Sequence, residues 1–324
     1  MRLTRVILGG IIYALLLAAF WRVIRVYHVG RVVGGHVAVP FVGLALMFGA
    51  FWAFGWGVQP WLRRRLAAAP AGRILLPGLF AAGIYALLGA PVGDFRAGAA
   101  AAFFVLPSGL ALLLHTQARQ PRLTWADLVA LAGLGLPIEY GWFRFALPQP
   151  GLGDVPKFLF AVIALYLFLI VRPLPGVGFD LAARGSDLWN GVRHWLFFTP
   201  IGIGLGLALH FIHPHGGWPG VGRLAGALLV TFIFTALPEE LFFRGILQNL
   251  LETRLGRDRA LLVASGVFGL SHYVHGPVFN WRYVILAAIA GWFYGRAWRR
   301  ERRLFASALA HTLVDVLWGA WFRF

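Results

Sequence analysis

Run after run of this chain stays apolar for close to the ~20 residues that carry a helix across a bilayer. Candidate spans lie at about 6–26, 38–60, 74–93, 97–116, 127–143, 156–172, 195–213, 222–251, 260–276, 282–298 and 304–322. Lipid offers no partner to a free backbone N–H or C=O, so only helices and closed barrels cross it. The runs are continuous rather than alternating, which selects helices. The expected fold is all-α: a polytopic transmembrane bundle of about 9–11 helices. Composition agrees, with 60% hydrophobic residues and only 13% charged, where a soluble domain has roughly a quarter.

The formal net charge of +17 does not point to nucleic acid. The arginines stand in short clusters between apolar runs, as at Arg63, Arg64, Arg65 and Arg73. Such clusters set topology and meet anionic headgroups. With no cysteine, disulfides, thiolate metal sites and a cysteine nucleophile are excluded. Residues 2–20 resemble a signal peptide, with Arg2 and Arg5 before an apolar run. Arg22 and Arg25 follow where a small-x-small cleavage site would stand, so the segment reads as a retained first helix.

Residues 173–194 interrupt the pattern. Pro and Gly come first, then Asp180, Arg184, Asp187 and Arg193, with Leu181, Leu188, Trp189, Val192 and Trp195 near helical spacing. An amphipathic helix lying at the interface fits. It would join a transmembrane extension, 1–175, to a C-terminal core, 176–324, that holds nearly all the intramembrane ionisable residues. Two basic loops, Arg254 to Arg259 and Arg296 to Arg303, are separated by two spans and so share a side. The positive-inside bias makes that side cytoplasmic, and the loop around His275 to Trp281 and Phe324 exterior.

Ionisable groups inside spans are costly and mark function. Here they are Glu239, Glu240, Arg244, His272, His311 and Asp315. At ~1.5 Å rise per residue, Glu239, His272 and Asp315 lie roughly 17–20 Å from the basic ends of their spans, and His311 roughly 12 Å. Three helices thus bring polar groups to one layer, as a shared wet cavity requires. Glu240 and Arg244 are four apart and can pair, as are His311 and Asp315. Pro238 is expected to disturb its helix and free backbone groups. Beside this pair Glu239 is placed to act as general base toward water, with His272 holding that water and His311 facing a developing oxyanion.

Glu239-Glu240-x-x-x-Arg244, Phe268-x-x-x-His272 and His311-x-x-x-Asp315 together resemble the three motifs of the CPBP family, the type II CAAX prenyl proteases and bacteriocin-processing or immunity proteins. The resemblance spans roughly 180–324. It implies an intramembrane endopeptidase of the glutamate type without a covalent intermediate, in which Glu239 and His272 activate water. Glu240 and Arg244 would support them, and His311 with the residue four later would stabilise the oxyanion. That residue is typically Asn in the prenyl proteases and is Asp315 here. An ionised Asp accepts hydrogen bonds without donating them, so Asp315 is either protonated or serves to orient His311.

Other readings stand beside this one. Glu240–Arg244 alone would serve as a packing ion pair. Glu239, His272, His311 and Asp315 are acceptable zinc ligands, although H-E-x-x-H does not occur; no cofactor is otherwise indicated. Gly269-Leu270-Ser271-His272 faintly echoes a serine-protease loop. His210, His213 and His215 read as a polar interfacial loop, and Glu139 as a partner of Arg144. A non-catalytic immunity or scaffold protein, or a proton- or cation-coupled transporter, would also hold such acids. The expected partners are the lipid bilayer and a membrane-associated protein or peptide substrate.

Overall fold

The computed structural model describes residues 2–26, 37–143, 145–147, 155–273 and 280–323. Arg144, Arg31, Phe324 and residues 274–279, which hold most of the expected exterior loop, lie outside these residues. Twelve helices follow in order: α1 (Arg2–Val26), α2 (Ala38–Gly55), α3 (Gln59–Leu66), α4 (Pro70–Gly89), α5 (Ala97–Thr116), α6 (Trp125–Glu139), α7 (Val155–Val171), α8 (Gly185–Ala208), α9 (Val221–Leu255), α10 (Arg257–Leu270), α11 (Trp281–Glu301) and α12 (Leu304–Trp321). A two-residue antiparallel pair, β1 (His213–Pro214) with β2 (Phe322–Arg323), is the sheet structure among the described residues. The protein is an all-α, multi-pass membrane bundle. By length and composition, six described helices can cross a membrane, including the continuous Val221–Leu255. The other expected spans are shorter or too polar: α11, for example, holds three arginines in its last six residues.

Chain contacts form two compact units, residues 1–120 with 124–173, and 121–123 with 174–324. In the first, α7 is buried along nearly its whole length. Its last turns, Leu167–Val171, widen to π geometry. Carbonyls there are met by arginines: Arg63 Nε donates to Leu169 O at 2.6 Å, and Arg73 to Ile170 O. The buried Asp127–Arg172 ion pair that follows had no local signal in the chain. Asp127 is also the third residue of α6 and closes a capping box with Thr124.

In the second unit, residues 174–184 are not helical. The interfacial helix and the span expected from 195 are one helix, α8. Its first turn is capped by Asp187, whose Oδ2 accepts from Arg184 N at 2.9 Å, so the chain enters helix there and continues unbroken past Trp195. The preceding segment is fastened by Arg303, which sits between α11 and α12. Its Nε lies 2.7 Å from Asp187 Oδ1 and its Nη1 2.8 Å from Asp180 Oδ2. Burial works against this charge, but the two carboxylates outweigh it and hold the Arg303 pKa above its ordinary value.

Gly178 makes the approach possible. Its φ is +76°, and a Cβ there would lie 2.0 Å from Arg302 O, while its own carbonyl accepts from Leu304 N at 3.0 Å. Gly178→Ala therefore meets both a left-handed backbone and a backbone clash. We expect it to lower stability by about 1–3 kcal/mol, read as a drop in thermal midpoint of the purified protein; an unchanged midpoint would contradict this packing.

The two basic loops meet at one end of this unit, as their separation by two spans requires. Arg299 Nη1 lies 2.7 Å from Asp258, and Arg302 pairs with Glu252.

Candidate active site

The acids are carried by α9. Pro238 has no N–H and crowds the carbonyl four residues back, yet α9 does not break. The turns on either side, Thr231–Ala236 and Leu241–Gln248, widen to π geometry around the Leu237–Glu240 turn. The expected disturbance is absorbed as bulges, which recur at functional sites.

Glu240 is fully buried, at 0% exposure, between Arg244 and His311. Arg244 Nε stands 3.2 Å from its Oε2, and His311 Nδ1 lies 2.9 Å from its Oε1. Arg244 is fixed in turn by Gly291 of α11, whose carbonyl accepts from Nη2 at 3.0 Å, and by the Phe268 ring, 4.4 Å from the guanidinium carbon. A Cβ on residue 291 would come within 2.9 Å of that ring and 3.1 Å of Nη2, so glycine is what lets α11 close over the pair.

The other face of His311 meets the remaining acids. Its Nε2 lies 3.4 Å from Asp315 Oδ2 and 3.8 Å from Glu239 Oε2. Side-chain exposure rises outward, from 0% at Glu240 and 4% at His311 to 17% at Glu239 and 38% at Asp315. The inner pair is thus a buried support, and Glu239 and Asp315 are the more exposed acids. Both His311 nitrogens face carboxylates, and only an imidazolium donates from both.

His272 stands in the turn just after α10, where residues 260–276 had been expected to run on as a span. Ser271 Oγ and His272 Nδ1 both bond to Phe268 O, at 2.8 Å each, and these contacts cap the last turn. Ser271 Oγ also lies 3.3 Å from His272 Nδ1, so the serine-protease echo keeps a Ser–His contact, with both side chains held against one carbonyl. The Phe268 ring touches both imidazoles, with centroids 4.8 Å from His272 and 5.7 Å from His311. The structure thus gathers Glu239, Glu240, Arg244, His311 and Asp315 by direct polar contacts, and joins His272 to them through Phe268.

Two tyrosines of α11 escaped the sequence reading. Tyr294 stacks on His311, with centroids 4.7 Å apart and planes at 14°. Tyr283 sets its ring edge against His272 at 4.7 Å, and its hydroxyl lies in the field of Asp315 and Glu239. With Gly291 they form one face of α11 at helical spacing, a signal that was present but carried no charge to draw notice. We expect Tyr294→Leu to lower kcat about tenfold with KM little changed, since a stacked pair is worth about 0.5–1.5 kcal/mol, and Tyr294→Phe to restore it. Equal losses from Leu and Phe would contradict a role through stacking.

Among the described residues no three His, Asp or Glu side chains stand as a metal-binding group, so zinc ligation, weighed from residue types alone, gains no geometry. His213 is taken up in β1, opposite Arg323.

Residues 221–317 match the family model described as Rce1-like: type II CAAX prenyl endopeptidase Rce1-like. The matched stretch is similar to that family. It contains all six ionisable residues singled out in the spans, and the family resemblance read from the three motifs is borne out there. Rce1-like proteins are a protease family, and the Rce1-like segment sits in a multi-pass membrane protein. No curated protein and no solved structure matches the chain.

Proposed function

We propose that the Rce1-like segment is an intramembrane endopeptidase of the glutamate type. It would hydrolyse a peptide bond near the C-terminus, or in the membrane-embedded segment, of a protein or peptide substrate. The observation that carries this reading is the graded burial around His311: a buried Glu240–Arg244 pair behind it and the more exposed Glu239 and Asp315 in front. Glu239 takes a proton from water as that water attacks the scissile carbonyl. His272 holds the water. His311, oriented by Glu240 through Nδ1 and by the stacked Tyr294, presents Nε2 to the oxyanion. Asp315 contacts His311 Nε2, which supports an orienting role over that of the Asn typical of the prenyl proteases. The proton taken by Glu239 passes to the leaving amine, and the peptide bond breaks. The basic end of the second unit, with Arg254 to Arg259 and Arg296 to Arg303, faces the cytoplasm.

The test is cleavage of a panel of membrane-anchored reporter peptides by the purified protein in the presence of hydroxylamine. Direct attack by water gives a free carboxylate at the cut. A hydroxamate product would reveal an acyl-enzyme and overturn the mechanism. Turnover is expected to survive 1,10-phenanthroline; a loss restored by zinc would favour the metalloprotease reading. A protein that cleaves nothing in the panel yet keeps its cellular phenotype as Glu239→Gln would favour a scaffold or immunity role.

A further inference from the structure

Three arginines at the basic end of the second unit have a carboxylate. Arg299 has Asp258, Arg302 has Glu252, and Arg303 has Asp180 and Asp187. Arg193, Arg296 and Arg300 have none among the described residues. They are brought together by the packing of α8 on α11. Asn190 Nδ2 donates to Ala297 O at 2.7 Å, which sets Arg193 of α8 and Arg296 of α11 within about a turn of this crossing point. Arg300 follows Arg296 by four residues, on the same face. Between the helices His194 is buried, its Nδ1 2.8 Å from Asn190 O, and it lies in the field of all three guanidiniums.

The surroundings are those of a lipid boundary. Arg193 lies over Phe197 at 5.3 Å, and Arg296 over Trp292 at 4.6 Å. Trp189, Arg193, Leu196 and Phe197 make one stripe of α8, and Trp189 is 64% exposed and Phe197 51%. Three unneutralised cations beside exposed aromatic and aliphatic side chains suit an anion that itself has an apolar body. Basic pockets between transmembrane helices take phospholipid headgroups on this ground.

We infer that Arg193, Arg296 and Arg300 form a site for the phosphate of an anionic membrane phospholipid, with its acyl chain along the Leu196–Phe197 stripe. The bound lipid would brace α8 against α11, the helix that carries Gly291 and both tyrosines of the candidate site. The site is separate from the acids of α9, and its readout, lipid retention, does not depend on cleavage.

The test uses the full chain, purified in detergent and exposed to mixed vesicles or micelles of phosphatidylcholine with and without phosphatidylglycerol. Retained lipid is measured by native mass spectrometry. Wild type is expected to hold phosphatidylglycerol in preference to phosphatidylcholine. Arg193→Gln/Arg296→Gln/Arg300→Gln should lose that retention at least about tenfold, since each arginine near an anionic surface contributes on the order of a several-fold factor. Arg64→Gln/Arg65→Gln/Arg119→Gln removes the same charge elsewhere and should leave it intact. Should the first triple change fail to fold, Arg193→Gln alone is expected to show the same direction of loss. Equal loss in both triple variants, or none in either, would overturn the site. Displacement of the lipid by millimolar inorganic phosphate would overturn the assignment to a bilayer lipid in favour of a free anion.

Discussion

Glu239→Gln is expected to lower proteolytic turnover by about 10²–10⁴-fold, the usual contribution of a general base, while the protein folds and inserts as before. The substitution keeps the size of the side chain and removes only its basicity. Glu239 is also peripheral to the packing, at 17% side-chain exposure and 3.8 Å from His311 Nε2, so stability should change little. The two readouts separate a catalytic role from a structural one. Single-turnover cleavage of a membrane-anchored reporter measures the first, and thermal unfolding in the same detergent the second. A variant that keeps wild-type turnover would remove Glu239 from the chemistry; a variant that loses turnover only because it unfolds would make it scaffolding.

The largest stability effect is expected one turn on. Arg244→Met should destabilise the protein by about 3–5 kcal/mol, because it leaves a buried carboxylate without its cation. Glu240 is at 0% exposure and Arg244 at 1%, so no water can take over. The guanidinium also holds the Gly291 carbonyl and lies on the Phe268 ring, and those contacts go with it. Glu240→Gln/Arg244→Met removes both charges and should recover much of the loss in thermal or denaturant midpoint. Activity should not recover with it, since Glu240 also orients His311 through Nδ1. An Arg244→Met protein as stable as wild type would show that the pair is not dry.

The helices and the motif residues were legible because apolar length and charge are strong local signals. Ala97–Thr116 was bounded to the residue, and the pairing of Glu240 with Arg244 followed from a spacing of four. The contact that organises the site was not legible. Glu240 and His311 lie 71 residues apart, and nothing local in either helix says that they meet. The same holds for Asp127 with Arg172, which lie far apart in sequence across an apolar stretch. Tyr294 and Tyr283 were missed because an uncharged aromatic in a membrane helix reads as interfacial anchoring until a partner such as His311 is seen against it. α8 was divided wrongly because its polar first turns read as interfacial. Polarity there reports instead that Asp187 and Asn190 are spent on Arg303 and Ala297. The Pro238 reading failed in form only: α9 has the slack of two π segments and bends its hydrogen bonding rather than stopping.

On the proposed mechanism Glu239 and His272 share a water in front of His311, and everything else in the chemistry depends on that shared position. It is tested most directly by an experimental density map of the protein in a lipid nanodisc, fine enough to show ordered solvent. A water within about 3.2 Å of both the Glu239 carboxylate and a His272 ring nitrogen is expected. Packed side chains or lipid acyl density between those two groups would contradict it.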